Sequence, residues 1–272
     1  DAKQGYSNPS GIKIFEYDIS FTRRYIIDKN LLPMNLVQAE CEKIIEQSRV
    51  PVYSGKKIEQ FNEDQSPNPK ILSFDIETYS QKNKRIDPEN QSILMLAVYG
   101  QNLKKVITWK SFKTNDETIE FVKSESEVIE RFKEIISDYK PDIITGYFSD
   151  GFDFPFIKTR AKKYKTKLDL GLDFSELHIE GKKIQTAEIT GIVHVDIFKF
   201  IKKIMGRSME TDVFTLDAVS NEILGEHKHE VEIGELTSAW DNSDAESLNK
   251  FIKYNLHDAE LVFNLCKKLL PN

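Results

Sequence analysis

The segment KILSFDIETYS, residues 70–80, sets two carboxylates two positions apart within an otherwise apolar run. Ile71, Leu72, Phe74 and Ile76 have the density of a short buried strand. Side chains at i and i+2 of a strand share a face, so Asp75 and Glu77 point the same way. Two like charges side by side in a dry sheet are costly unless a cation neutralises them. A strand end with solvated acids would relieve the same cost, and the strand pattern alone does not separate the two.

Composition narrows the partners. The formal net charge of −6 argues against a simple polycation gripping nucleic acid. Basic residues are unevenly spread, however. KTRAKKYKTK (158–167) holds six basic residues and no acid, and KFIKKIMGR (199–207) adds four more. Such runs are ordinarily the solvated face of a helix, and they acquire meaning only beside a site that handles phosphate. The 272 residues suffice for one large domain or one domain with a smaller appendage. No apolar stretch approaches a membrane span, no signal-peptide pattern opens the sequence, and no membrane partner is expected. Cys41 and Cys266, far apart, form neither a disulfide framework nor a zinc cluster. They point to a reducing compartment, and a cytoplasmic location is expected. The chain has no initiating Met, as expected of a trimmed one.

The order of elements follows from periodicity and punctuation. GIKIFEYDIS reads as a strand, and residues 35–69 as a polar, poorly periodic stretch ending in the linker NEDQSPNPK. SILMLAVYG and KKVITWKSF are two strands with a turn at Gln101 and Asn102. SESEVIERFKEIISDYK opens on a Ser cap and has Val128, Ile129, Phe132, Ile135 and Ile136 at helical spacing. Pro141 ends that helix, and DIITGYF is a further buried strand. FDFPFIKTRAKKY opens a helix that tolerates Pro155 in its first turn. A hairpin and strand in LHIEGKKIQTAEITGIVHVDIF lead into a helix through Lys203. TLDAVSNEILG is a short helix stopped by Gly225, and a long helix closes the chain from about Asp244 to Leu270. Strands interleaved with helices indicate an α/β sheet covered by helices.

Three further acids stand in unusual surroundings. Asp153 lies in DGFDFPF at the mouth of a helix, where a plain helix cap would also place an acid. Asp258 follows Tyr254 by four residues, which puts phenol and carboxylate on one helix face. Asp196 in VHVDIF is adequately explained as a strand-end cap.

A strand with D-x-E, a loop and helix with F-D, and a late helix with Y-x-x-x-D resemble, in that order, the proofreading 3′–5′ exonuclease domain of family B DNA polymerases, most closely the archaeal ones. EYDISFTRRYIIDKNLLPM resembles the family's N-terminal segment before the exonuclease domain, and ERFKEIISDYKPDIITGY, GIVHVDIFKFI and FTLDAVSNEILGEHK are similar to its intervening blocks. The resemblance implies a ribonuclease-H-like mixed sheet with flanking helices over residues 70–272, after a partial N-terminal segment and linker over 1–69. It implies that Asp75, Glu77, Asp153 and Asp258 ligate two divalent ions, and that Tyr254 positions the attacking water. Four carboxylates without a cysteine or histidine cluster suit magnesium or manganese. A branch of the superfamily carries a His five residues before the last Asp. Lys253 stands there, so the tyrosine branch is indicated, and His257 is read as a bystander.

Two departures matter. The family's second motif usually has an Asn five residues before its Asp, where this chain has Phe148. Phe148 could stack on an unpaired base or be a core residue. Phe148, Phe152, Lys162 and Lys163 are the expected nucleic-acid contacts. The chain also stops at KKLLPN, where the family continues into its polymerase domains, and it has none of their motifs. It is therefore expected to be the proofreading part of a larger polymerase, with unpaired 3′ ends of DNA and the polymerase domains as partners. A non-catalytic module that binds single-stranded DNA is the alternative, and a ribonuclease on the same fold a third.

Overall fold

The computed structural model describes residues 19–33, 35–61, 68–80, 86–181, 185–228 and 234–270. The chain divides into two compact units, Asp1–Asn68 and Pro69–Asn272. In the first, α1 (Phe21–Asp28) is capped by the Ser20 hydroxyl, which accepts from the Arg23 amide. Strands β1 (Val37–Ile44) and β2 (Val52–Gln60) then pair antiparallel. This hairpin corrects the reading of residues 35–69 as an aperiodic stretch. Every residue of β1 is exposed, so neither face needs hydrocarbon and the period-two signal of a half-buried strand is missing. The strand expected in GIKIFEYDIS falls on residues 11–18, outside the described residues, as does most of the NEDQSPNPK linker.

The second unit begins with β3 (Ile71–Thr78), β4 (Ile93–Gly100), β5 (Leu103–Thr108), β6 (Ile119–Phe121), α2 (Glu125–Tyr139), β7 (Ile143–Gly146) and α3 (Asp153–Tyr164). It continues with the hairpin β8 (His178–Glu180) and β9 (Thr186–Glu188), then β10 (Val193–Asp196) and α4 (Ile197–Phe200). A π-helical turn (Ile201–Met205) leads to α5 (Leu216–Leu224), α6 (Glu235–Asn242) and α7 (Ala245–Leu269). Six strands form one sheet in the order β10-β7-β3-β4-β5-β6. The β3–β4 and β4–β5 ladders are antiparallel and the other three parallel. This is the mixed sheet with flanking helices expected of a ribonuclease-H-like fold.

The cores follow from side-chain alternation along β3. Leu72, Phe74 and Ile76 enter a cluster with Ile129 and Phe132 of α2 and Phe154 and Ile157 of α3. The Phe74 ring lies 5.2 Å from Phe132 and 4.7 Å from Phe154, centre to centre. On the opposite face Ile71 packs with Leu261, Val262 and Leu265 of α7. There too the Ser73 hydroxyl donates to the Ala259 carbonyl at 2.6 Å. Asp75 and Glu77 continue this second face toward the end of the strand.

Local chemistry sets the helix ends. Ser124 caps α2 by accepting from the Glu127 amide, and Asp244 caps α7 through the Glu246 and Ser247 amides. Gly225, at φ +71°, supplies the left-handed residue that ends α5. The far end of α3 is fastened by a buried ion pair. Arg160 Nη2 lies 2.6 Å from Glu125 Oε2, and each side chain is 3% exposed. Glu125 Oε1 also accepts from the Ile93 amide at 2.8 Å, and Arg160 Nη1 donates to the Pro88 carbonyl at 3.1 Å. The one arginine in the 158–167 run therefore belongs to the interior. Glu125→Leu strands that guanidinium, and urea unfolding should show a loss of about 3–5 kcal/mol. A loss below about 1 kcal/mol, the usual value for exposed pairs, would show that the pair is effectively solvated.

Candidate active site

Helix α7 crosses the polar face of β3 and brings Asp258 to Asp75 and Glu77. One carboxylate oxygen from each lies within 4.8 Å of the other two. Asn255, one helical turn before Asp258, is fully buried and donates from Nδ2 to Asp75 Oδ2 at 2.7 Å. The β3–β4 ladder slips at Glu77/Thr78, where Glu77 faces Met95 and Thr78 faces Ile93. A bulge of this kind ends pairing and re-aims side chains.

Asp153 opens α3, and Phe152 before it makes no side-chain cap. The Asp153 carboxylate turns back to β3, where Oδ1 accepts from the Ile76 amide at 3.3 Å. Asp153 stands outside the triangle of the other three acids, yet its charge acts on both Asp75 and Glu77. A cleft of about 330 Å3 opens over the group, lined by Asp75, Glu77, Asp258, Tyr254, Phe152 and Lys228. Tyr254 and Phe251 also border a hollow of about 640 Å3 between α6 and α7.

Lys228 was not legible in the sequence. It follows α5 in an irregular segment, where no periodicity marks a residue as inward. Its ammonium lies 2.6 Å from Asp258 Oδ2 and 4.6 Å from the centre of the Tyr254 ring. Asn255 was missed as well, although its spacing of three from Asp258 on one helix could have found it.

Crowding shifts every acid of the site. Burial first, then Asp258, Asp153 and Glu77, hold Asp75 well above the carboxylate range. Burial and then Asp258 push Glu77 up to about 8. Burial pushes Asp153 up to about 7 against the hydrogen bonds from its own amide and that of Ile76. Asp258 is raised by burial despite the opposing charge of Lys228. Burial works against the Lys228 ammonium, but Asp258 and Tyr254 hold its proton above the ordinary lysine range. Asp258 Oδ1 is buried without a hydrogen-bond partner among the described residues. An orphaned carboxylate oxygen in a triangle of hard oxygen donors fits a divalent cation.

The expected contacts are spread more widely. Phe152 lines the cleft. Phe148 is 47% exposed, so it is not a core residue. Lys162 and Lys163 are exposed in the last turn of α3, about 13 Å along its axis from Asp153. Lys163 donates to the Glu89 carbonyl at 3.0 Å. The structure does not bring these two lysines to the cleft. His257 meets the His227 carbonyl at 3.2 Å. No helix among the described residues is long and apolar enough to cross a membrane.

Residues 12–219 match the model of the family described as "DNA polymerase family B, exonuclease domain". Tyr254 and Asp258 lie beyond that match, but full-length relatives extend over them. The chain is 32% identical over 265 residues to a DNA polymerase of Pyrococcus glycovorans, with 97% of this chain and 29% of that protein aligned. It is 33% identical, over the same shares, to DNA polymerase 1 of Pyrococcus abyssi. The solved family B DNA polymerase of the hyperthermophilic archaeon Pyrobaculum calidifontis superposes with a TM-score of 0.78 at 25% identity. That superposition covers 97% of this chain and 33% of the polymerase. The chain thus spans less than a third of the Pyrococcus relatives.

The raised carboxyls make stability depend on pH. Glu77 and Asp153 lose their protons near pH 4 in an unfolded chain but near 8 and 7 in the ion-free fold. Between those limits the folded state holds more protons, so stability falls as pH rises and levels off above the folded values. Melting of Glu77→Gln in chelator should therefore gain on the parent protein from about pH 5 to about pH 8. A difference that stays constant over that range would show Glu77 to be an ordinary solvated acid.

Proposed function

The chain belongs to the exonuclease domain family of family B DNA polymerases, and on that premise we propose that it hydrolyses phosphodiesters at the 3′ end of DNA. In this reading Asp75, Glu77, Asp153 and Asp258 hold two divalent ions, magnesium or manganese, and Tyr254 orients the attacking water. The observation that carries it is the meeting of Asp75, Glu77 and Asp258 within 4.8 Å, on a strand and a helix far apart in sequence. Because the chain spans only part of its relatives, the polymerase domains of the same full-length protein are its proposed partners. An unpaired 3′ end is the proposed substrate.

Bound divalent ions would polarise the phosphoryl oxygen, make the attacking water more acidic and steady the leaving 3′-oxygen. The chain's own residues do the rest. Asn255 fixes the Asp75 carboxylate, and the Ile76 amide fixes that of Asp153, so the ligands are aimed before any ion arrives. Burial and Asp258 keep the Tyr254 phenol protonated, which leaves an O–H to hold a water beside Asp258. Phe152 gives the cleft an apolar wall suited to a sugar or base. Lys228 supplies the positive charge that lets an anionic backbone approach an acidic floor.

The test is degradation of a 5′-labelled single strand. Shortening from the 3′ end is expected with magnesium or manganese and none with chelator. Binding without cleavage under every ion would favour the non-catalytic module, and faster cleavage of RNA than DNA the ribonuclease. Asp75→Ala, Asp153→Ala and Asp258→Ala should each remove nearly all cleavage, whereas Tyr254→Phe should cost on the order of 10²-fold. A wild-type rate in any of the three alanine variants removes that acid from the ligand set.

A further inference from the structure

The loop between β7 and α3 holds an aromatic ring toward solvent at the expense of its backbone. Phe148 has a φ of +62°, a left-handed conformation rare for a bulky residue. The buried Asp196 carboxylate fixes it by accepting from the Phe148 amide at 3.1 Å and the Asp150 amide at 3.0 Å. Asp150 is held in turn by the Ala187 amide and the Lys199 ammonium, both at 2.6 Å. Ser149 meets His194 Nε2 at 2.9 Å, but it is fully buried, so this serine and histidine can only position the loop. Strain that the surroundings over-determine in this way is a mark of function.

The ring held out is part of a platform. Phe148 lies against Gly151, where even a Cβ would come within 2.3 Å of it. It meets Phe198 edge to face at 5.2 Å, and the Lys202 ammonium lies 5.4 Å from the centre of the Phe198 ring. Lys202 is exposed and belongs to the basic run 199–207. On the other side of Gly151, Phe152 lines the acid cleft. The platform thus combines an exposed ring, a half-buried ring set edge to face against it and an exposed cation, on a loop that runs on to Phe152 in the cleft wall.

We propose that Phe148, Phe198 and Lys202 form a stacking subsite for an unpaired base of the strand whose 3′ end enters the acid cleft, with Lys202 taking an adjoining phosphate. The subsite rests on the exonuclease reading and deepens it. Aromatic rings stack on any base, which suits a strand that must be edited whatever its sequence.

The test compares a single strand of about 12 nucleotides, long enough to reach the platform, with the nitrophenyl ester of thymidine monophosphate, which reports on the acid site alone. Phe148→Leu and Phe198→Leu keep apolar bulk but remove the π face. Each should weaken strand binding in chelator about tenfold and leave manganese-dependent ester hydrolysis unchanged. Lys202→Glu, on an open surface where folding is not at stake, should weaken binding and flatten its salt dependence. Parent-like affinity in all three variants overturns the subsite, as does an equal loss of binding and ester hydrolysis, which would mean that the loop acts only through Asp153. Affinity lost only in the two leucine variants, with Lys202→Glu silent, overturns the role given to Lys202. If the parent protein binds the strand but hydrolyses neither substrate, the exonuclease reading fails while the binding comparison still decides the subsite.

Discussion

Asp75 and Glu77 repel one another, and everything else in the second unit is arranged so that the strand carrying them stays where it is. β3 is paired on both edges, antiparallel to β4 over Leu72–Thr78 and parallel to β7 over Ile71–Ser73. Its other face sends Leu72, Phe74 and Ile76 into the core between the sheet and helices α2 and α3. Each such side chain contributes about 1.5–3 kcal/mol when fully buried, which works against the crowding of charge on the opposite face. The Ser73–Ala259 hydrogen bond then locks α7 against the strand two residues before the first acid. The acidic cleft is a local instability held by its apolar reverse side.

The site draws on three kinds of element. A strand supplies Asp75 and Glu77, a helix N-terminus supplies Asp153, and the middle of a long helix supplies Tyr254 and Asp258. Each is rigid for a different reason: ladder pairing, docking of α3 in the core, and burial of one side of α7. Lys228 is the exception, because it arrives on an irregular segment. A charge delivered that way can be repositioned at little cost to the core, whereas the carboxylates cannot.

Much of this was legible in the sequence because burial leaves a period. The alternation in 71–77 revealed both the strand and its charged face, and spacings of three and four marked α2 and the side of α7 bearing Tyr254 and Asp258. Residues without a buried face left no such trace. The β1–β2 hairpin was invisible for that reason, and α6 was missed beside the stronger signal of α7. Charge runs carry no direction, so the sequence did not show that the axis of α3 takes Lys162 and Lys163 away from Asp153. Asp196 was read as a cap, which it is through the Lys199 amide, but its two bonds to the 147–152 loop depend on strand order.

The spread of the cleft along the chain also bears on when it can exist. Asn255 reaches back 180 residues to Asp75, and Ser73 reaches forward 186 to Ala259. A ribosome releases β3, β4 and β5 together, and their antiparallel ladders can close locally, but α7 emerges well after them. Contacts at such separation are among the slowest to form. A nascent chain therefore has the acids of β3 long before it has Asp258 or Tyr254 to complete them. The acid cleft is therefore complete only after the rest of the unit has formed, so an unfinished polypeptide carries its acids on β3 without their partners on α7.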